Sequence, residues 1–173
     1  MKKMKRLVAV LLAGVMVLAM LTACGGGSST PTSDVDKAEA LYMDAYNAAL
    51  GTDYKNDAEL KKLAKTVLDE NLNEKGALNS GKEMTVTKKD GNSVYTVVTI
   101  LAQQVSKNVP YGITSEELAN MLANKDKVIV NVDATTKKTA TNLAVGAVKK
   151  GDKIYVAIAM TKDMKLTKDM KLK

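Results

Sequence analysis

Few residues of this 173-residue chain could do chemistry, because it contains no histidine and only one cysteine. Without imidazole, the chain offers no histidine metal ligand and no histidine general base, so Ser-His-Asp and Cys-His catalysis are excluded. Carboxylates, lysines, serines and tyrosines remain. The neighbouring acids Asp69-Glu70 and Glu116-Glu117 are typical of helix surfaces, and no paired-carboxylate motif stands out. Cys24 is therefore the residue whose surroundings indicate a specific chemistry.

Cys24 ends a segment with the pattern of an export signal. A basic start, Met1–Arg6, precedes an apolar run, Leu7–Leu21, that is short for a membrane span and has the flanks of a cleaved signal. The stretch Leu21-Thr22-Ala23-Cys24 resembles the lipobox of bacterial lipoproteins. This resemblance implies cleavage before Cys24, a lipid on its sulfur and anchoring to the outer face of the bacterial cell membrane. The alternative is an ordinary secretory signal with a spare thiol.

Composition divides the chain into four parts. We predict a signal peptide at residues 1–23, a flexible Gly/Ser tether at 24–33, one domain at 34–160 and a basic tail at 161–173. In the tail, the unit Thr-Lys-Asp-Met-Lys-Leu occurs twice. A solvated tail and weak attraction to an anionic membrane or wall polymer are the two interpretations of this repeat.

The formal net charge of +7 overstates the basicity of the predicted domain. Four cations lie in the signal, and residues 24–160 contain 17 lysines and 17 acids. The chain has no arginine beyond Arg6, so bidentate clamps on phosphate are absent from the domain. Nucleic acid is therefore not an expected partner. With no Phe and no Trp, the core must use aliphatic side chains and the six tyrosines.

Capping residues predict the first two helices. Ser33 begins a helix that Gly51 ends, and a capping box from Asn56 to Glu59 begins a second helix that ends by Gly76. Their apolar stripes match and their connection is short, so we expect them to share one core.

The second half of the chain contains further local signals. Thr114 and Glu117 form a capping box for a short helix that ends near Asn124. Alternation predicts a strand at Val128–Val132. The apolar segments Leu143–Val148 and Lys153–Met160, on either side of the predicted turn, are the strongest hairpin signal in the chain.

Residues 94–104 are ambiguous from their composition alone. Val94–Leu101 is rich in β-branched residues, which favours a strand. The spacing of Val94, Val97, Val98 and Leu101 also fits one face of a helix.

Several motifs, taken in order, resemble the bacterial branch of the CAP superfamily (the SCP-like domain) over roughly residues 37–160. The run Asp57–Leu60 is similar to its D-A-E-L helix, and Thr85–Val98 lies along its S-H-T-R-P-D-G segment without a gap. Ser106–Gly112 is similar to G-E-N-I-A-Y-G, Thr114–Glu117 to T-P-E-E, and Leu143–Gly146 to I-G-V-G.

The resemblance implies an α+β fold, a CAP-like three-layer α-β-α sandwich with a C-terminal β-hairpin, in which residues 94–104 are helical. Val86, Lys107 and Lys127 would stand at cleft positions where the family has histidine, glutamate and histidine. A protonated lysine repels a cation, so we expect no metal and no cofactor. Either the two lysines are solvated, or they bind an anion.

Two further cleft residues come from the same resemblance. Asn108 is expected to be a structural hydrogen-bonding residue. Tyr111, like Tyr155, is expected in the core or the wall of the cleft. The export pattern, together with the resemblance to a CAP domain that has lost its metal-binding cleft residues, implies a non-catalytic binding module at the cell envelope, with an unidentified ligand or protein partner. The alternatives are an envelope hydrolase that works without His or metal, and a structural or assembly lipoprotein.

Overall fold

The computed structural model describes residues 33–124, 128 and 130–164. The elements, in chain order, are α1 (Asp34–Leu50), α2 (Ala58–Asn71), β1 (Thr85–Lys89), β2 (Val94–Ile100), β3 (Ala102–Gln103), β4 (Ser106–Pro110), β5 (Gly112–Ile113), α3 (Ser115–Ala123), α4 (Ala134–Thr139), β6 (Ala140–Lys150) and β7 (Lys153–Asp163). The fold is α+β, as the sequence predicts.

The β6–β7 hairpin confirms the hairpin prediction, and its second strand, β7, is the central strand of the main sheet. Its turn contains Gly151 at φ +60°, a left-handed conformation that glycine adopts without strain. Both strands are longer than the predicted segments. β7 continues to Asp163, three residues beyond the predicted domain boundary at 160, because Thr161–Asp163 still pair with β2.

β7 is hydrogen-bonded to neighbours on both of its edges. β6 pairs along one edge, while β2 and then β5 pair along the other, and β1 adds to β2. All these pairings are antiparallel. β1, β5 and β6 each pair with one strand and are therefore edge strands of the main sheet, and β3 and β4 form a separate two-stranded sheet.

The strand β2 corrects the prediction that residues 94–104 are helical. Its backbone pairs with β1 on one side and with β7 on the other. Thr96, Val98 and Ile100 are buried and alternate with more exposed residues, which is the period of a strand. The β-branched composition therefore indicated the correct secondary structure, a strand. The neighbouring strands β1 and β7 hydrogen-bond its backbone on both sides.

α1 and α2 pack on opposite faces of the sheet, which corrects the expectation of a shared core. Successive strand side chains point to alternate faces, so one hairpin can supply both cores. The side chains that face α1 and α3 are Leu143, Val145, Ala147, Ile154, Val156 and Ile158. The side chains that face α2 are Val98, Ile100, Tyr155, Ala157 and Ala159.

α2 comes very close to the edge strand β6 at Gly146. A Cβ atom placed on Gly146 would lie 2.8 Å from the Cβ of Ala64 and 2.9 Å from the carbonyl oxygen of Lys61. Real Cβ atoms do not approach backbone atoms this closely without displacing them. The missing side chain of Gly146 therefore sets the separation between the helix and the sheet.

Two side chains from outside the sheet bond the open backbone edge of β6. The Asn56 carboxamide accepts the Val145 N–H at 2.9 Å and donates to the Val145 carbonyl oxygen at 3.0 Å. Glu39 Oε1 accepts the Ala147 N–H at 3.1 Å. Backbone groups that an edge strand otherwise leaves open are thus satisfied within the fold.

Glu39 also joins α1 to α2 around this edge. Its side chain is 3% exposed and forms ion pairs with Lys61 and Lys65, the latter with 2.9 Å between Nζ and Oε1. A buried carboxylate requires such partners, because its desolvation is otherwise costly. One residue of α1 therefore contacts α2 and β6 together.

Signals at the helix ends are confirmed at α1 and α3 and are shifted at α2. Ser33 caps α1, and Thr114 with Glu117 forms the predicted capping box at α3. The N-cap of α2 is instead Asp57, whose carboxylate accepts hydrogen bonds from the N–H groups of Glu59 and Leu60. Asn56, the predicted cap, bonds β6.

The predicted strand at Val128–Val132 does not form at its described positions, 128 and 130–132. The side chains of Val128 and Val130 nevertheless pack against the core on the α1 face. Within the part of the chain that the structure describes, no helix is long and apolar enough to cross a membrane.

Gly146→Ala is expected to lower the free energy of unfolding by about 1–3 kcal/mol, because the added methyl group overpacks the contact with α2. Urea unfolding followed by circular dichroism measures this change. Gly91→Ala is the matched control, since its added Cβ would lie 3.8 Å from the Val94 Cβ, an ordinary contact. Equal losses in the two variants would contradict the close approach at Gly146.

Glu39→Ala is expected to lower the free energy of unfolding by about 1–3 kcal/mol, because the Ala147 N–H loses its acceptor in a buried site. Glu39→Gln, which keeps an acceptor oxygen, should lose less. Glu70→Ala, at an exposed position of α2, is the control and should change the value by at most about 0.5 kcal/mol. A Glu39→Ala variant as stable as this control would argue against the network.

Candidate functional site

A groove of about 1260 Å³ is the candidate functional site, and we call it the tyrosine groove. Its walls come from α1, the segment 75–78, the β3–β4 hairpin, the segment 111–112 and α3. Concave sites that combine apolar walls with a few polar groups are the usual places of ligand binding.

Four tyrosines line the groove. Three of them, Tyr42, Tyr46 and Tyr111, are called the groove tyrosines, and the hydroxyl of the fourth, Tyr155, bonds the Lys75 carbonyl oxygen. Tyr42 and Tyr46 are four residues apart in α1 and therefore share one face of that helix. Tyr111 joins β4 to β5, and its N–H donates to the carbonyl oxygen of Leu101 at 2.8 Å. Tyr42 is buried, whereas Tyr46 and Tyr111 are half-buried and leave part of each ring accessible.

The hydroxyl groups of Tyr42, Tyr46 and Tyr111 differ from those of Tyr54 and Tyr155. Tyr54 donates to the Ala140 carbonyl oxygen at 3.0 Å, and Tyr155 donates to the Lys75 carbonyl oxygen at 3.4 Å. In the described part of the chain, the hydroxyls of the groove tyrosines 42, 46 and 111 form no hydrogen bond. Within the described residues, none of these three oxygens is a buried atom without a partner, so each is accessible to a ligand or to water.

The same three phenols stay protonated at physiological pH. Burial raises the pKa of Tyr42 well above its ordinary value of 10.0, and the nearby Tyr111, Tyr46 and Glu117 act in the same direction. Burial likewise raises the pKa of Tyr46. Burial also raises the pKa of Tyr111, and the nearby Glu117 carboxylate raises it further. Each phenol is therefore a neutral hydrogen-bond donor and acceptor, not a nucleophile or a base.

Glu117 is the single carboxylate among the described residues that line the groove. The N–H and the hydroxyl of Thr114, which donate to Oε2 at 2.8 and 3.0 Å, hold the pKa of Glu117 below its usual value, and Lys153 adds to this. Lys153 and Lys75 are the ammonium groups of the lining. Across the described residues, no three carboxylate or cysteine side chains are grouped so that they could hold a metal ion.

Tyr155 forms a fixed wall of the groove. Its ring is 5% exposed and lies between Gly76 and Gly112. A Cβ on Gly112 would lie 2.7 Å from the ring, and one on Gly76 would overlap it. The two glycines thus make room for the ring, which holds the segment around Gly76 against β5.

Carboxamides and exposed aliphatic side chains complete the lining. Asn108 and Asn120 are exposed, and their side chains form no hydrogen bond with any described residue. Asn124 donates to the Asn120 carbonyl oxygen at 2.9 Å. On the β3–β4 hairpin, Val105 is 93% exposed and Val109 is 41% exposed, which are high values for large apolar residues.

The structure brings together two of the predicted cleft residues, Asn108 and Tyr111, which both line the groove. The Asn108 side chain makes no hydrogen bond with any described residue, and its expected structural role stays a prediction. Val86 lies on the edge strand β1 and Lys107 on β4, both exposed and neither in the lining. Lys127 and Cys24 lie outside the described residues.

Tyr42 and Tyr46 are not among the site residues that the sequence predicts. One signal could have found them. The chain uses no Phe, so each tyrosine on a core-facing stripe brings a hydroxyl that needs a partner or a polar cavity. Two tyrosines spaced by four residues therefore indicate a polar cavity beside the helix.

Comparison with protein-family models, with curated proteins and with solved structures gives no match. The resemblances to a lipobox and to a CAP domain therefore rest on the motifs quoted above.

Tyr46→Phe and Tyr111→Phe are each expected to change the free energy of unfolding by at most about 0.5 kcal/mol, because the removed hydroxyls have no hydrogen bond within the described fold. Tyr54→Phe, which removes the bond to Ala140, should lower it by about 0.5–1.5 kcal/mol. Urea unfolding curves compare the three variants. A loss at position 46 or 111 as large as that at position 54 would show a partner for the groove hydroxyls.

Proposed function

We propose that this chain is an exported lipoprotein, held at the outer face of a bacterial membrane by a lipid on Cys24, whose tyrosine groove binds an uncharged polar ligand of the cell envelope. The observation that carries the binding role is the set of three neutral phenol hydroxyls without hydrogen bonds in the described fold. The export signal and lipobox pattern carry the location.

Binding is favoured over catalysis by the chemistry of the lining. Phenols with raised pKa values do not act as bases or nucleophiles near neutral pH. Glu117 is the single carboxylate of the described lining, whereas carboxylate-based hydrolysis of glycosidic bonds uses a pair. The groups that remain, phenols, carboxamides and two ammonium groups, recognise ligands by hydrogen bonds.

The predicted anchor and the folded domain are separated by a short tether. α1 begins at Asp34, one residue after the predicted tether of residues 24–33. Ten extended residues reach at most about 35 Å, so the domain would stay close to the membrane surface. This restriction fits a ligand that is itself part of the envelope.

A CAP-like α-β-α sandwich is our proposal for the finer description of the fold. Helices on both faces of the sheet support it. The strand Val94–Ile100 departs from the helix that the resemblance implies at this place. We therefore assign the binding role to the tyrosine groove, which includes Asn108 and Tyr111, and not to a cleft built from Val86, Lys107 and Lys127.

Cys24→Ser is expected to abolish lipid attachment and to release the protein from membranes, because serine lacks the thiol that the lipid modifies. Growth of a lipoprotein-processing bacterial host with radiolabelled palmitate, followed by fractionation, measures both properties. The unchanged chain should be labelled and found with membranes. Label of equal intensity in Cys24→Ser would contradict the anchor.

Replacement of all three groove tyrosines, 42, 46 and 111, by Phe is expected to abolish retention of envelope material. The immobilised full chain in detergent is exposed to the uncharged, soluble fraction of an envelope digest, and bound material is quantified. Tyr95→Phe, on β2 and outside the groove, is the matched control and should retain as much as the unchanged chain. Equal retention by the triple variant would rule out the groove as the site.

A further inference from the structure

We infer that the ligand of the tyrosine groove is an uncharged oligosaccharide that carries acetamido groups. This inference rests on the binding role proposed above and names the chemical class of the ligand. It follows from the charge of the lining, the accessible aromatic rings, the pairing capacity of the carboxamides and the size of the groove.

The lining offers little to a charged ligand. Among the described residues of the lining, the ionised groups are Glu117, Lys75 and Lys153, of opposite signs, and the phenols of Tyr42, Tyr46 and Tyr111 are neutral. No arginine is present after residue 6 to form a bidentate clamp on a phosphate or a carboxylate. A ligand that hydrogen-bonds without carrying charge matches these groups best.

Tyr46 and Tyr111 provide rigid rings that are partly exposed and end in a hydroxyl group. Such a side chain offers an apolar face and a hydrogen-bonding tip at a low cost in conformational entropy. A pyranose ring has the complementary pattern, since C–H bonds cover its faces and hydroxyl groups surround its rim. Aliphatic lipid chains would leave the hydroxyls at positions 42, 46 and 111 unpaired.

The asparagine side chains of the lining add amide groups that can form hydrogen bonds with a ligand. The side chains of Asn108 and Asn120 have their donor and acceptor groups available within the described structure. An acetamido substituent presents one N–H and one C=O that point in opposite directions, and a carboxamide can pair with either of them, as acceptor or as donor. Its methyl group finds apolar contacts in Val105 and Val109, the exposed valines of the β3–β4 hairpin.

The size of the groove favours a ligand of several sugar units. Its volume of about 1260 Å³ exceeds the range of about 300–1,000 Å³ that small-molecule sites occupy. A peptide is the competing occupant. Extended peptides bind mainly through the main chain of an exposed strand, whereas the polar groups that carry the present argument are side chains.

Titration of the full chain in detergent with the β-1,4-linked tetramer of N-acetylglucosamine tests the inference. Tyrosine fluorescence reports binding without interference, because the chain has no tryptophan. We expect saturable binding, weakened about three- to tenfold by Tyr46→Phe and by Asn108→Ala, the effect of losing one hydrogen bond. Tyr95→Phe should bind as the unchanged chain does.

Two further probes separate the possible ligands: the β-1,4-linked tetramer of glucose, and an uncharged tetrapeptide. Weaker binding of the glucose tetramer, by about tenfold, supports the acetamido contacts, because the carboxamides then lack their partner. Equal affinity for both sugars overturns that part of the inference, and binding of the peptide alone overturns the sugar class.

The retention experiment with the triple tyrosine variant distinguishes failure of the inference from failure of the proposed function. If no probe binds while the unchanged chain still retains envelope material that the triple variant loses, the sugar class is wrong and the groove remains a binding site. If neither the probes nor envelope material bind, both proposals fall.

Discussion

The contact between α2 and the edge strand β6 is the constraint on which the rest of the structure depends. Gly146 lets the helix backbone approach the strand, while Asn56 and Glu39 bond the strand's open edge. Because Glu39 belongs to α1 and pairs with Lys61 and Lys65 of α2, it fixes the two helices on opposite faces of one sheet. The hairpin is then buried on both sides, which is what its apolar sequence requires.

The candidate site follows from the position of α1. Once Glu39 holds one part of this helix at β6, Tyr42 and Tyr46, one and two turns further along, face the groove. α3 is held beside α1 where the Ser115 hydroxyl donates to Asp34 at 2.9 Å, and it brings Glu117 to the same region. The groove is thus a space between elements whose positions are determined by other contacts. The hydroxyls of its tyrosines remain partly accessible there.

Sequence patterns predicted the structure best where it depends on contacts between residues that are close together in the chain. The caps at Ser33 and Thr114 and the turn at Gly151 involve residues within a few positions of one another, so their patterns indicated the correct structure. The state of residues 94–100 depends on pairing with residues 157–163, and the use of Asn56 depends on Val145. For the site, the motif comparison gave Asn108 and Tyr111, but it could not indicate that helix α1 faces them.

The sequence by itself determined which chemistry is possible: no imidazole, one cysteine in an export pattern, a neutral domain, and tyrosines in place of other aromatic residues. It also determined the ends of α1 and α3 and the β6–β7 hairpin. Only the tertiary structure decided that the two first helices lie on opposite faces, that residues 94–100 form a strand, and that three phenols share one groove. The physical reason is that these outcomes depend on contacts between residues tens of positions apart, which composition and periodicity do not encode.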